Sequence, residues 1–329
     1  MPRRRGDDRD FSVLQMETVA DLPDLAALPA PRLAPAVDAR PSRLADFYEL
    51  TKPRMNFLVV VTTMVGFYMG MRPGFDDWAL LAHCLVGTAL AAAGASVLNQ
   101  YVERGYDRLM RRTQCRPLPA GRVAPLEALL LGVSLAAGGT LYLAALVNPL
   151  IASFGALTIG SYVFLYTPLK GLTTLCTVIG AVPGAIPPMM GWTAATGTLS
   201  PQAWALFGIL FFWQMPHFLA IAVLYREDYA RGGFKMLPVV DQSLVVTGRQ
   251  TVLYGMALVP VSLLPVALRM GGAGYLLAAL VLGLAFLAFG INCAVCKRRA
   301  DARRLFLASI VYLPALLAVM MLDKQSWGV

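Results

Sequence analysis

The polar residues of this chain are gathered between long apolar runs. Windows of about 20 apolar residues, each able to cross a hydrocarbon core of roughly 30 Å, fall near 55–72, 78–101, 124–146, 149–166, 172–193, 202–224, 250–268, 273–292 and 305–322. The pattern predicts an all-α integral membrane protein of nine transmembrane helices. Residues 1–42 have no such run and are rich in Pro, Ala, Arg and Asp, which reads as a disordered tail. Residues 43–54, Arg-Leu-Ala-Asp-Phe-Tyr-Glu-Leu-Thr-Lys-Pro-Arg, read as a short amphipathic helix lying at the interface. It is expected to end at Lys52, because Pro53 restrains the residue before it. Residues 55–322 then make the helical domain and 323–329 a short carboxyl-terminal tail.

Charge sets the orientation. Basic residues gather in every second connection: the amino-terminal arm, Arg104 to Arg122, Lys170, Arg226 to Arg249, and Lys297 to Arg304. The alternate connections hold at most Arg269 or a few acids. By the positive-inside rule the amino terminus is cytoplasmic and the carboxyl terminus outside. Hydrophobic residues make up 57% of the 329 positions and charged residues 14%, unlike a soluble globular chain. The net charge of +9 is divided among loops at helix ends, where it meets anionic headgroups and substrates rather than nucleic acid. Arg3-Arg4-Arg5 leads into acids rather than an apolar run, so no secretory signal is visible, and Asp7, Asp8, Asp10 and Glu17 disfavour a mitochondrial presequence. The expected location is a bacterial inner membrane.

Candidate chemistry lies on the cytoplasmic side. Asn99, Glu103 and Asp107 are spaced i, i+4, i+8, so on a helix they share one face over roughly 12 Å. Hard oxygen ligands there suit Mg²⁺, which bridges to substrate phosphates; the bland alternative is a helix end emerging into water. Arg112 and Arg116 follow and can fork onto phosphate or carboxylate. The connection Tyr166-Thr167-Pro168-Leu169-Lys170 offers hydroxyls and an ammonium to a diphosphate. A third cluster runs from Trp213-Gln214 through Arg226-Glu227-Asp228-Tyr229 to Lys235, with a solvated loop as its plain reading. Pro183, Pro187 and Pro188 interrupt the fifth run, which is therefore expected to be broken and to face the bundle interior or a cavity. His217 is open to three readings: axial haem ligand, general base, or hydrogen-bonded core residue. His83, Cys293 and Cys296 read as buried structural side chains, and the five cysteines do not suggest a disulfide framework.

Several blocks together resemble the protohaem IX farnesyltransferases, or haem O synthases, of the UbiA prenyltransferase superfamily. They are Leu50-Thr-Lys-Pro-Arg54, Asn99-Gln-Tyr-Val-Glu103 to Asp107, Arg112-Thr113, Arg116-Pro-Leu-Pro119 and Tyr166 to Lys170. Pro183-Gly-Ala-Ile-Pro-Pro188, Trp213-Gln-Met-Pro-His-Phe218, Glu227-Asp-Tyr229, Met236-Leu-Pro-Val239, Ala302-Arg-Arg-Leu-Phe306 and Tyr312-Leu-Pro314 continue the series. The resemblance implies a bundle around a central cavity and a Mg²⁺ site of Asn99, Glu103, Asp107 and Asp228. It implies catalytic roles for these residues with Lys170 and His217. Substrate contacts would come from Lys52, Arg54, Arg112, Arg116, Tyr166, Thr167, Trp213, Gln214, Arg226, Tyr229 and Lys235. The implied reaction transfers farnesyl from farnesyl diphosphate to a vinyl group of haem b, giving haem O, with a haem A synthase or terminal-oxidase pathway downstream. The chain departs from the family at Glu103, an Asp in other branches, at Gly232, where a second Asp would complete DxxxD, and at Cys115, Gly171 and Cys176. Prenylation of an aromatic quinone or chlorophyll precursor is the alternative within the mechanism, and a non-catalytic haem-handling protein or transporter the alternative outside it.

Overall fold

The computed structural model describes residues 42–75 and 77–325; residues 1–41 and 326–329 of the expected tails lie outside the described residues. The described chain is helical, with a single isolated bridge between Gly271 and Lys324. Short α1 (Arg43–Leu50) is followed by α2 (Pro53–Gly70), α3 (Trp78–Asp107), α4 (Pro125–Leu146) and α5 (Pro149–Gly160). A π-helical turn, Ser161–Tyr166, carries α5 into α6 (Thr167–Leu169), and α7 (Cys176–Thr196) and α8 (Pro201–Leu224) come next. Short α9 (Arg226–Arg231) and α10 (Leu237–Val240) lead to α11 (Val245–Ala267), α12 (Ala273–Cys296) and α13 (Arg299–Leu322).

Among the described residues, seven helical segments are long and apolar enough to cross a membrane: α3, α4, Pro149–Leu169, α8, α11, α12 and α13. The other two apolar runs also form long helices. They are less apolar, since α2 opens on Pro-Arg-Met-Asn and α7 contains three prolines. Four helices outrun their apolar windows at the end bearing the basic connections. α3 continues past 101 to Asp107, α12 past 292 to Cys296, and α11 and α13 start at Val245 and Arg299 rather than at 250 and 305. In α3, α11 and α13 those extra turns carry polar side chains, among them Glu103, Thr247 and Asp301.

The packing falls into two sets. α3 lies along α4, α4 on α5, and α2 fits between α3 and α7; α8, α11, α12 and α13 pack on one another, and α7 against α8 joins the sets. α2 and α7 touch backbone to backbone through two glycines. A Cβ on Gly66 would strike the Pro188 carbonyl, and one on Gly191 the Thr63 carbonyl. Small residues allow such close approach in apolar bundles, where packing rather than water exclusion drives association. The core around this contact includes Phe67, Met69, Trp192, Tyr275 and Tyr312, all fully buried.

Two expectations about continuity are corrected. α7 is unbroken through Pro183, Pro187 and Pro188, and most of it is buried against neighbours. Freed backbone groups are tolerated where surrounding helices enclose them, and α2 and α8 pack along this helix. α1 stops at Leu50, two residues before Lys52, because its end is drawn into α3: the Gln100 amide donates to the Leu50 carbonyl at 2.7 Å. Lys52 then adopts a left-handed backbone (φ 48°, ψ 57°), and α2 starts on Pro53.

Candidate active site

The last turns of α3 carry the site. Asn99, Glu103 and Asp107 are all buried on one face, as an i, i+4, i+8 spacing requires. Each meets a cation of the chain. Lys52 Nζ donates to Asn99 Oδ1 at 2.8 Å, Lys170 Nζ to Glu103 Oε1 at 2.5 Å, and Arg116 Nη1 to Asp107 Oδ2 at 2.8 Å. The three donors come from separate places: the left-handed corner before α2, the connection after α6, and the loop after α3. A left-handed lysine is an uncommon backbone state that recurs at functional sites. Here it aims an ammonium inward.

The π-helical turn has a local cause. Pro168 has no N–H to give to the helix, and the chain widens just before it. The Thr167 N–H and hydroxyl both turn to the Tyr162 carbonyl, the hydroxyl at 2.7 Å. This presents Thr167 Oγ1 to the Asn99 carboxamide, which donates to it at 3.0 Å. Tyr166 stacks on Tyr162, and Lys170 Nζ lies 4.4 Å from the centre of the Tyr166 ring and 5.7 Å from that of Phe234. Burial disfavours charge on Lys170, but Glu103 outweighs it and holds the ammonium well above its ordinary value. Burial pushes the Lys52 ammonium down to about 7, with Arg116 and Lys170 beside it acting in the same direction and Glu103 and Asp107 opposing.

The donor set suits a hard divalent cation. Asp107 Oδ1 is buried without a hydrogen-bond partner among the described residues, a costly state for a carboxylate oxygen that a cation would relieve. Magnesium needs only one or two protein carboxylates when phosphates supply other ligands, so the residues fit it. Among the described residues no three His, Cys, Asp or Glu side chains converge, and Asp228 in particular is turned elsewhere. Its Oδ1 accepts from the Arg111 amide at 3.2 Å and pairs with Arg231. Partial burial raises its pKa, but Arg231 and the Arg111 amide prevail and hold the carboxyl below its usual range. Asp228 therefore ties the loop after α3 to α9. Gly232, at the missing second acid, packs on Met110.

The remaining expected residues divide between the two sets. Arg112 lies over the Tyr225 and Tyr229 rings, at 4.8 and 5.5 Å, beside Asp228. Arg226 reaches the Gln242 carbonyl at 3.4 Å, and Arg54 and Lys235 are exposed. Gln214 is committed to Ala181. His217 does not join the α3 cluster: its Nδ1 is 2.6 Å from Ser309 Oγ, and its ring stacks on Trp213 at 5.0 Å and meets Phe306 at 5.1 Å. Trp213 Nε1 donates to the Ser309 carbonyl at 2.9 Å. Of the expected structural residues, His83 bonds Tyr142, whereas Cys296 is exposed and Cys293 half-buried because α12 runs on past the apolar window. Gln100, Thr113, which donates to the Asp107 carbonyl at 2.9 Å, Phe234 and Ser309 support the site without having stood out. Gln100 and Thr113 lie in the blocks that resemble the family, while Ser309, 92 residues from His217, left no local signal.

Known proteins resemble this chain in sequence and in fold. Among curated relatives, the protoheme IX farnesyltransferase of Solibacter usitatus is 46% identical over 85% of this chain and 99% of its own length. That of Koribacter versatilis is 43% identical over 91% and 97%. A digeranylgeranylglyceryl phosphate synthase structure superposes with a TM-score of 0.71 at 16% identity, covering 85% of this chain and 98% of the other. A UbiA homologue from Archaeoglobus fulgidus bound to GPP and Mg²⁺ gives 0.59 at 17% identity, covering 84% and 99%; at such identities the likeness is one of fold. The sequence profile of the UbiA prenyltransferase family matches residues 59–313, from the middle of α2 to α13. With an all-helical bundle of the same fold and near full-length relatives, the chain belongs to the UbiA prenyltransferase family.

Proposed function

We infer that this intramembrane prenyltransferase transfers a farnesyl group from farnesyl diphosphate to a vinyl group of haem b, giving haem O and diphosphate. The observation that carries the reading is the near full-length similarity to relatives named protoheme IX farnesyltransferase. The paired oxygens and cations on α3 supply the chemistry. Asn99, Glu103 and Asp107 would hold Mg²⁺, as the family's Mg²⁺-bound homologue supports; when bound, the ion would neutralise charge on the departing diphosphate. Lys170, Arg116 and Lys52 donate to diphosphate oxygens in a water-poor site, where such donors count for more than in water. Thr167 fixes the Asn99 carboxamide. Trp213, His217 and Phe306 form an aromatic surface between α8 and α13 suited to the flat porphyrin, with His217 as ligand or base.

The architecture proposed with this reading has nine crossings within residues 55–322, α2 and α7 joining the seven most apolar segments around a central cavity. The basic connections face the cytoplasm of a bacterial inner membrane, the amino-terminal arm 1–42 is a cytoplasmic tail, and the carboxyl terminus lies outside; the loop charges support this. Haem A synthase or a terminal-oxidase pathway would consume the product. The test is pigment extraction from cells lacking their own haem O synthesis and expressing this chain. Accumulation of haem O supports the reading, and unchanged haem b in cells holding the folded protein refutes it.

A further inference from the structure

The α3 oxygens are not waiting bare for a metal: Asn99, Glu103 and Asp107 are matched one to one by Lys52, Lys170 and Arg116. Asp107 Oδ1 is buried without a partner among the described residues. Lys170 and Arg116 alone balance the two carboxylates and Lys52 adds to them, so the pocket is at least neutralised by its own side chains. A divalent cation arriving alone meets that positive set and must displace an ammonium or guanidinium from its carboxylate. A diphosphate arriving first reverses the balance. It draws lysine and arginine heads, which bind phosphate oxygens as well as carboxylates, and their withdrawal uncovers the α3 oxygens.

We propose that Lys52, Lys170 and Arg116 are exchangeable counter-ions that keep divalent metal out of the α3 site until a diphosphate draws them off, so that metal and diphosphate bind as a cooperative pair. The inference rests on the reading of α3 as the metal–diphosphate site. The side chains suit exchange: each is a long chain with its charge at the tip, and each holds its partner through one contact rather than a bidentate fork. The same exchange runs backwards after transfer. As diphosphate leaves, the three cations return to α3 and the metal loses its ligands, which resets the pocket.

Coupling between two ligands is reciprocal, and typical values are about 5–150-fold. The full chain in detergent micelles is titrated with Mn²⁺, reading free ion by electron paramagnetic resonance, with and without inorganic pyrophosphate and with correction for the soluble Mn²⁺–pyrophosphate complex. Wild-type protein is expected to bind Mn²⁺ at least about tenfold more tightly with pyrophosphate, a modest value in that range. Lys170→Met is expected to bind Mn²⁺ alone more tightly than wild type and to show reduced coupling. Equal Mn²⁺ affinity with and without pyrophosphate in wild type overturns the proposal, even if Lys170→Met does not fold. A folded Lys170→Met whose affinity for Mn²⁺ alone is unchanged also overturns it. Binding of neither probe overturns the assignment of the site itself, and the inference falls with it.

Discussion

Breaking the Glu103–Lys170 pair separates a catalytic polar cluster from an ordinary structural ion pair. The two side chains are 6% and 11% exposed, so the contact is not a screened surface bridge. Removing one partner of a buried pair costs about 3–5 kcal/mol, because the other is left charged and uncompensated. Here compensation is partial. Lys52 also acts on Glu103, and the Tyr166 ring lies 4.4 Å from Lys170 Nζ, a contact worth about 0.5–2 kcal/mol. Glu103→Gln and Lys170→Met should therefore each cost about 2–3 kcal/mol, below the full penalty of a broken buried pair. The double variant Glu103→Met/Lys170→Met should regain most of that stability, since an apolar replacement of both partners is often neutral. Turnover should be lost in all three. Equilibrium unfolding in mixed micelles and haem O formation on the same preparations give the two readouts. The reasoning fails if both single variants stay within about 0.5 kcal/mol of wild type, the ordinary range for an inconsequential surface change. It also fails if the double variant still makes haem O.

Three further outcomes are expected. Arg116→Ala should raise KM for farnesyl diphosphate and lower kcat, because leaving-group charge grows toward the transition state; steady-state kinetics showing only a weaker haem b affinity would move Arg116 to the propionates. His217→Ala should alter the haem Soret band or haem O yield while leaving farnesyl diphosphate binding intact, and wild-type values for both would make His217 a packing residue tied to Ser309. Asp241 accepts from Thr247 N and Oγ1 at 2.7 and 2.9 Å; burial pushes its pKa up, but these bonds win and hold it below the usual range. Its hold on the start of α11 should then be complete above the unfolded carboxyl value of about 4 and fall away as pH drops through the lower folded value. Amide exchange at 245–248, corrected for intrinsic rate, should show that loss in wild type and no such pH dependence in Asp241→Asn.

The site was legible wherever one rule of local geometry governs it. Asn99, Glu103 and Asp107 share a face because a helix places every fourth residue in line, and α3 is helical through all three. What faces them was not legible as geometry. Lys52, Arg116 and Lys170 could be named as cations for a diphosphate, but their pairing depends on a left-handed corner, a loop and a π-helical turn from different parts of the chain. Asp228 was legible as an acid, but not its partners: the Arg111 backbone amide and Arg231 hold it beside α9. The prolines of α7 misled for a related reason: a missing N–H breaks an isolated helix, but not one enclosed by α2, α5 and α8.

The same enclosure explains why so polar a cluster persists at the end of an apolar bundle. A buried polar group there gains most from a partner in the protein, since hydrocarbon offers none. Apart from Asp107 Oδ1, the α3 side chains find theirs through the chain's own charges and distortions of its backbone. The turn before Pro168 widens, the Tyr162 carbonyl takes the Thr167 N–H and hydroxyl, and the Thr167 oxygen takes the Asn99 amide, whose carbonyl oxygen takes Lys52. Each step leaves one group fixed by the step before. The sequence of contacts ends at an oxygen and an ammonium that both suit a diphosphate and its cation, so the irregular backbone and the chemistry are one arrangement. A bundle of regular helices with the same residues would carry the same charges, but nothing would turn Thr167 and Lys52 onto Asn99.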